Sequence, residues 1–162
     1  MRTMVMRALL LTTLAVLTLT ACSQNHSDEN TSGEEVLLTV EHRSEWRQLW
    51  IEGATDLPDG AFVNFSVEHE IGRSTPSDEW PTANLVESGR ATVAEGHYWT
   101  VVNTLNWPPG NVRIVVQFPL PPQPVEIAAR YGEFGEHLIG DNVVTLSGMK
   151  AVEAEYQFEH RR

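Results

Sequence analysis

Among the residues able to do chemistry the chain has a single thiol, Cys22, six histidines, twenty-two carboxylates and five tryptophans. One cysteine closes no intramolecular disulfide and builds no multi-cysteine zinc site. A hydrolase nucleophile presented on a G-x-S-x-G turn is absent, as are the Gly-rich fingerprints that cradle nucleotide phosphates. Glu68-His69-Glu70 lies in an alternating run, which sets both acids on one strand face and the histidine on the other, unlike the helical H-E-x-x-H zinc motif. Asp56-Leu57-Pro58-Asp59-Gly60 offers two carboxylates where calcium wants more oxygens, and a Pro-Asp-Gly turn accounts for all five residues. No metal or cofactor is expected from these patterns. The aromatics are the more suggestive group. Trp46 and Trp50 share one face of a strand by their even separation, while Trp80-Pro81, Trp107-Pro108-Pro109 and Phe134 in a Gly-rich stretch fall in loops. Trp99 and one of the first pair are expected to fill the core. Trp80, Trp107 and Phe134 are the candidate binding residues, placed where a ring stacks on a sugar or anchors a protein partner.

The N-terminus carries a different message. Arg2 and Arg7 precede the apolar run Ala8 to Leu19, the shape of a signal peptide. A twelve-residue run spans about 18 Å as a helix, short of the roughly 30 Å hydrocarbon core. It ends in Leu19-Thr20-Ala21-Cys22, which resembles the lipobox of bacterial lipoproteins. Small residues at Thr20 and Ala21 leave the backbone open to a peptidase, and the Cys22 thiol is the nucleophile for a diacylglyceryl group. The resemblance implies cleavage before Cys22, acylation, and stable anchoring, since several acyl chains hold where one is marginal. Ser23 in place of aspartate is similar to the sorting signal of outer-membrane lipoproteins in Gram-negative bacteria. The expected location is therefore the cell envelope, with the lipid bilayer engaged through Cys22, on the periplasmic face of the outer membrane if the source is Gram-negative.

Three segments follow: a leader over 1–21, a lipidated tether over 22–35 and a folded domain over 36–162. Residues 23–35 contain no apolar side chain, so they bury nothing to offset the entropy of ordering. Thirteen such residues reach roughly 45 Å when extended and about 20 Å on average. The chain carries a formal charge of −11. Without residues 1–21, which hold two arginines and no acid, nine basic residues face twenty-two acidic ones, a charge of −13. Such a field repels nucleic acid and anionic headgroups, which excludes a DNA- or RNA-binding role.

Turn signals recur between short alternating runs, the pattern of antiparallel strands. Runs are expected over 36–41, 46–52, 61–69, 90–94, 97–104, 111–118 and 152–158, with Glu95-Gly96 as a hairpin turn. Val112, Ile114, Val116 and Phe118 share one face of their run, and Val152, Ala154, Tyr156 and Phe158 do the same against Glu153, Glu155, Gln157 and Glu159. One short helix is expected between Pro124 and Tyr131, after a Pro-rich run that ends the preceding strand. The fold class expected is an all-β, immunoglobulin-like antiparallel β-sandwich of seven or eight strands with at most one short helix; a small barrel is the alternative. The blocks Trp50 to Gly60, and Gln123-Pro124-Val125 followed by Gly132, Gly135, Leu138 and Gly140, resemble uncharacterised secreted bacterial β-sandwich proteins, which implies the same fold and transfers no catalytic residue.

The function expected is a membrane-anchored, non-enzymatic protein-interaction module in the envelope. A glycan-binding module and a small hydrolase or metal-dependent enzyme are the alternatives. The anchor is directly testable. Cys22→Ala should move the protein from the membrane fraction to the soluble fraction on cell fractionation, and a processed form that still sediments with membranes would refute the lipobox.

Overall fold

The computed structural model describes residues 33–161, so the leader, Cys22 and the tether up to residue 32 lie outside the described residues. The chain is mostly β. Its strands are β1 (Glu34–Glu35), β2 (Glu41–Glu45), β3 (Gln48–Ala54), β4 (Phe62–His69), β5 (Val86–Thr92), β6 (His97–Asn103), β7 (Gly110–Phe118), β8 (Leu138–Ile139), β9 (Val143–Leu146) and β10 (Met149–His160). Two helices, α1 (Glu70–Ser74) and α2 (Val125–Tyr131), and a 3-10 turn at Ser77–Glu79 complete it. A five-stranded antiparallel sheet has the order β5-β4-β7-β10-β9, a three-stranded antiparallel sheet β2-β3-β6, and β1 pairs in parallel with β8.

Alternation decides which side of each strand is dry. In β7, Val112, Ile114, Val116 and Phe118 are all buried, and the register sets them beside Phe158, Tyr156, Ala154 and Val152 of β10 and beside Val67 and Phe65 of β4. The three-stranded sheet contributes Leu49 and Ile51 from β3 and Tyr98 and Val102 from β6 to the same hydrophobic cluster. Opposite Phe65 stands Gly89, where an added Cβ would lie 2.8 Å from the ring, so the phenylalanine covers a position that only glycine leaves open. The outer side of the five-stranded sheet is mostly polar and in large part internally paired, with Val115 and Phe62 among its apolar residues, the latter under the Arg90 guanidinium. Arg113 bonds Glu155 at 2.6 Å and reaches Glu68 at 4.0 Å, and Gln117 donates to Glu153 at 2.6 Å.

The Glu95-Gly96 turn is as expected: φ is +53° and +74°, and Ala94 and His97 exchange backbone bonds across it. That geometry matches the primed hairpin turn. It joins β5 of one sheet to β6 of the other.

Three differences from the expected architecture have local causes. Among the described residues there are ten strands rather than seven or eight, because the two-residue β1 and β8 and the four-residue β9 are too short to show a period. Order also begins before Val36: Glu34 N–H donates to the His137 carbonyl at 2.7 Å and its carboxylate accepts from Arg130 at 2.8 Å, drawing the last residues of the tether segment into β1. Two helices rather than one form among the described residues, since α1 is capped by a histidine, His69, instead of the hydroxyl or carboxylate residues that announce a helix start. Lys150, the one lysine of the chain, spends its ammonium on the carbonyl of Leu138 at 3.1 Å and holds the Gly-rich stretch before β8 against β10.

Leu49 is 1% exposed in the shared core. Leu49→Ala should destabilise the domain by about 2–5 kcal/mol, measured as a lower urea midpoint at unchanged slope.

Candidate functional site

The sheets have two ends. At one, Leu38 bridges Thr55 and Thr39 N–H donates to the Ala54 carbonyl, so the chain joins the fold beside the end of β3. At the other, the Trp46-Arg47 turn connects β2 to β3 and stands next to the Thr104–Pro109 connection and the end of β10. The seven residues of β3 separate these ends by about 20 Å.

The three aromatics selected from loop position do not come together. Phe134 is exposed at the end where the chain joins the fold, beside Glu136 and Lys150. Trp80 packs against the core and donates its indole N–H to the Thr75 carbonyl at 2.9 Å. Trp107 is 2% exposed and offers no ring face to a ligand. The connection after β6 folds it back beneath the end of the molecule, edge-on to His69 at 5.8 Å and to His160 at 5.9 Å.

His69 is the clamp of that end. It is fully buried, its Nδ1 accepts from Ile71 N–H at 3.2 Å as the cap of α1, and its Nε2 lies 3.2 Å from the Pro108 carbonyl. Both bonds hold together only in the neutral form with the proton on Nε2. The close approach requires Gly110, where a Cβ would lie 2.8 Å from His69 Nε2. Burial lowers the His69 pKa, with Glu70 opposing the shift and Arg73 adding to it. Burial likewise lowers the pKa of His160, and charging both it and neighbouring His69 is opposed by their mutual repulsion. His42, on the inner side of β2, stacks on Phe158 at 3.7 Å, and burial lowers its pKa too.

The exposed aromatics lie elsewhere, on the outer face of the three-stranded sheet. The register β2-β3-β6 aligns Arg43 with Trp50 and Val101, and Glu41 with Glu52 and Trp99. Trp99 is 62% exposed and sits 5.4 Å from half-buried Trp50, whose other side carries the Arg43 guanidinium at 4.6 Å. At the tip, Trp46 is 78% exposed with Arg47 stacked at 3.6 Å. Arg43 is paired to Glu45 and lies 3.9 Å from Glu52. A cleft of about 310 Å³ beside Trp99 is lined by Glu41, Glu52, Ala54 and His97. Thus Trp99, expected in the core, is outside, and its neighbour Tyr98 takes the inner position, bonded to the Thr39 carbonyl. The residues Tyr98-Trp99-Thr100-Val101-Val102 put an apolar group on both faces, so alternation alone does not choose between them.

The remaining motifs resolve as structure. Asp56 accepts from Leu37 N–H at 2.9 Å and Asp59 from Glu95 N–H at 2.7 Å, so both carboxylates brace the turns around them. Among the described residues no three His, Cys, Asp or Glu side chains gather as metal ligands, and no helix is long and apolar enough to cross a membrane. Comparison of the chain with protein-family models, with curated proteins and with solved structures returns no match.

Buried His69 and half-buried His42 and His160 fix a pH dependence. With pKa values lowered in the folded state, the unfolded chain binds more protons once the pH falls through about 6.5, and stability falls with it. Glu155, held to about 2 chiefly by its bond from Arg113, contributes stability that is fully present above the ordinary carboxylate range and is lost progressively as the pH falls from that range to about 2. The urea midpoint should therefore drop between pH 7 and pH 5, and His69→Gln should flatten part of that drop. A midpoint constant across this window would contradict the assignment of neutral histidines in the folded state.

Proposed function

We propose that this protein is a lipid-anchored envelope module that works by binding another protein, and that its contact surface is the outer face of β2-β3-β6. The observation that carries the reading is the contrast between the two outer faces. One is a polar ladder of Arg113, Glu155, Gln117 and Glu153, satisfied within itself. The other presents Trp46, Trp50 and Trp99 with Arg43 between the strands. Tryptophan and arginine are the side chains that dominate binding energy at protein interfaces, and exposed rings of this size on a sheet face are uncommon without a partner. The shared core of the two antiparallel sheets favours an immunoglobulin-like sandwich as the architecture. Acylated Cys22 and the polar residues after it supply the anchor and reach, at the outer membrane in a Gram-negative source.

The second reading is a glycan module on the same face. Trp50 and Trp99 beside the carboxylates of Glu41 and Glu52 are a pairing of ring faces and acceptors that suits a pyranose. Titration with cell-wall oligosaccharides followed by tryptophan fluorescence separates the two, because an unchanged spectrum removes the glycan.

Crosslinking in intact envelopes followed by affinity capture tests the leading reading. Wild-type protein should retain a specific partner, and Trp99→Ser should reduce its recovery at least about tenfold, the loss of roughly 1.4 kcal/mol, with the unfolding midpoint little changed. No partner above background, or equal recovery with the variant, would count against it.

A further inference from the structure

A sheet edge presents unpaired backbone groups, and proteins guard such edges with charge, proline, bulges or short length. The edges here are unequal. β2 reads Glu-His-Arg-Ser-Glu, β5 contains Glu87, Gly89 and Arg90, and β9 has four residues. β6 reads His-Tyr-Trp-Thr-Val-Val-Asn: seven residues without an acid, lysine, arginine, proline or glycine. It ends the order β2-β3-β6, so among the described residues it has a strand neighbour on one side only.

The phase of the ladder shows which groups face the open side. Thr104 N–H donates to the Arg47 carbonyl, and counting back along the register directs the backbone groups of Val102, Thr100 and Tyr98 to β3. Those of His97, Trp99, Val101 and Asn103 therefore point away. His97 spends both on Ala94, and the Asn103 carbonyl accepts from Asn84 at 2.7 Å. Trp99 and Val101 keep N–H and C=O directed outward, and theirs are the side chains on the exposed aromatic face.

From this coincidence we infer that β6 accepts an extended, lysine- or arginine-bearing segment of a partner protein as an added strand, bonded to the backbone of Trp99 and Val101. The inference rests on the reading of this face as the contact surface and names its partner. Main-chain bonds would supply affinity and alternate side chains specificity, as in other strand additions. The charge follows from the face itself, which carries Glu41, Glu45 and Glu52 against Arg43 and, at the tip beside Val101, Arg47, in a chain of net charge −11. The Arg43 guanidinium over Trp50 shows the indoles already taking a cation. A second copy would instead set two acidic faces side by side.

The probe is a short peptide alternating lysine and valine, titrated onto the full chain at low salt while amide exchange and tryptophan fluorescence are followed. Binding should slow exchange at the Trp99 and Val101 amides. An N-methylated version and one alternating glutamate and valine should bind at least about tenfold more weakly. Val101→Pro removes an edge-facing N–H that the fold does not use, and should weaken the peptide to a similar degree; Val101→Lys, which keeps the N–H but charges the edge, should weaken it as well. Equal binding by the N-methylated peptide, or no protection at these two amides, would overturn strand addition. Protection that rises with protein concentration in the absence of peptide would assign the edge to a second copy. In the envelope capture, loss of partner with Trp99→Ser but not with Val101→Pro would leave the contact face standing and remove strand addition, whereas loss with neither would remove both.

Discussion

Everything in this fold depends on the inner row of β7. Val112, Ile114, Val116 and Phe118 are buried between a neighbour on each side and the opposing sheet, next to the equally continuous buried row Val63, Phe65, Val67 and His69 of β4. At about 25 cal/mol per Å² of apolar area removed from water, such a row is a large local contribution to stability. It also sets orientation, because a slip of one residue would turn Arg113 and Gln117 inward and strand their carboxylate partners on β10. The pairing Arg113–Glu155 on the reverse side and the apolar row on the inner side thus specify one register from both faces.

From that register follows the division of labour between the sheets. The five-stranded sheet spends most of its outer surface on satisfying itself. The three-stranded sheet, narrower and carrying Leu49, Ile51, Tyr98 and Val102 inward, has its remaining aromatics left over on the outside. Closure of the far end is a separate matter, settled by His69, which ties α1 to the Pro108 carbonyl and lets Trp107 lie between two imidazoles. A side chain in the middle of a strand-end and a helix cap is a structural part, and its sensitivity to acid is a by-product of being buried without charge.

How much of this was legible in the sequence depended on whether a segment had one apolar face or two. The runs around Val63, Ile114 and Val152 alternate cleanly, and the strands lie where the alternation puts them, within a few residues at each end. The helix after Pro124 and the turn at Glu95-Gly96 were equally readable from proline and glycine chemistry. In β6 the alternation is ambiguous, so Trp99 was expected inside and is outside. Trp107 was misplaced for a different reason: a tryptophan followed by two prolines looks like a loop residue, and it is one, but burial of a loop side chain depends on His69 and His160, which are far away in the chain. Glu34 looks solvated until Arg130 is brought beside it. These are long-range facts, invisible to local pattern.

Lys150 has a consequence for how this surface meets its surroundings. It is the one side-chain amine of the whole chain, and although the residue is exposed its ammonium is engaged by the Leu138 carbonyl. All other fixed positive charge is guanidinium, which stays protonated and is a poor nucleophile near neutral pH. Aldehydes, reducing sugars and acyl donors that modify lysine-rich surfaces therefore find little here to attack. The outer face of β2-β3-β6 keeps its charge pattern under conditions in which an ammonium-bearing surface would gradually lose it.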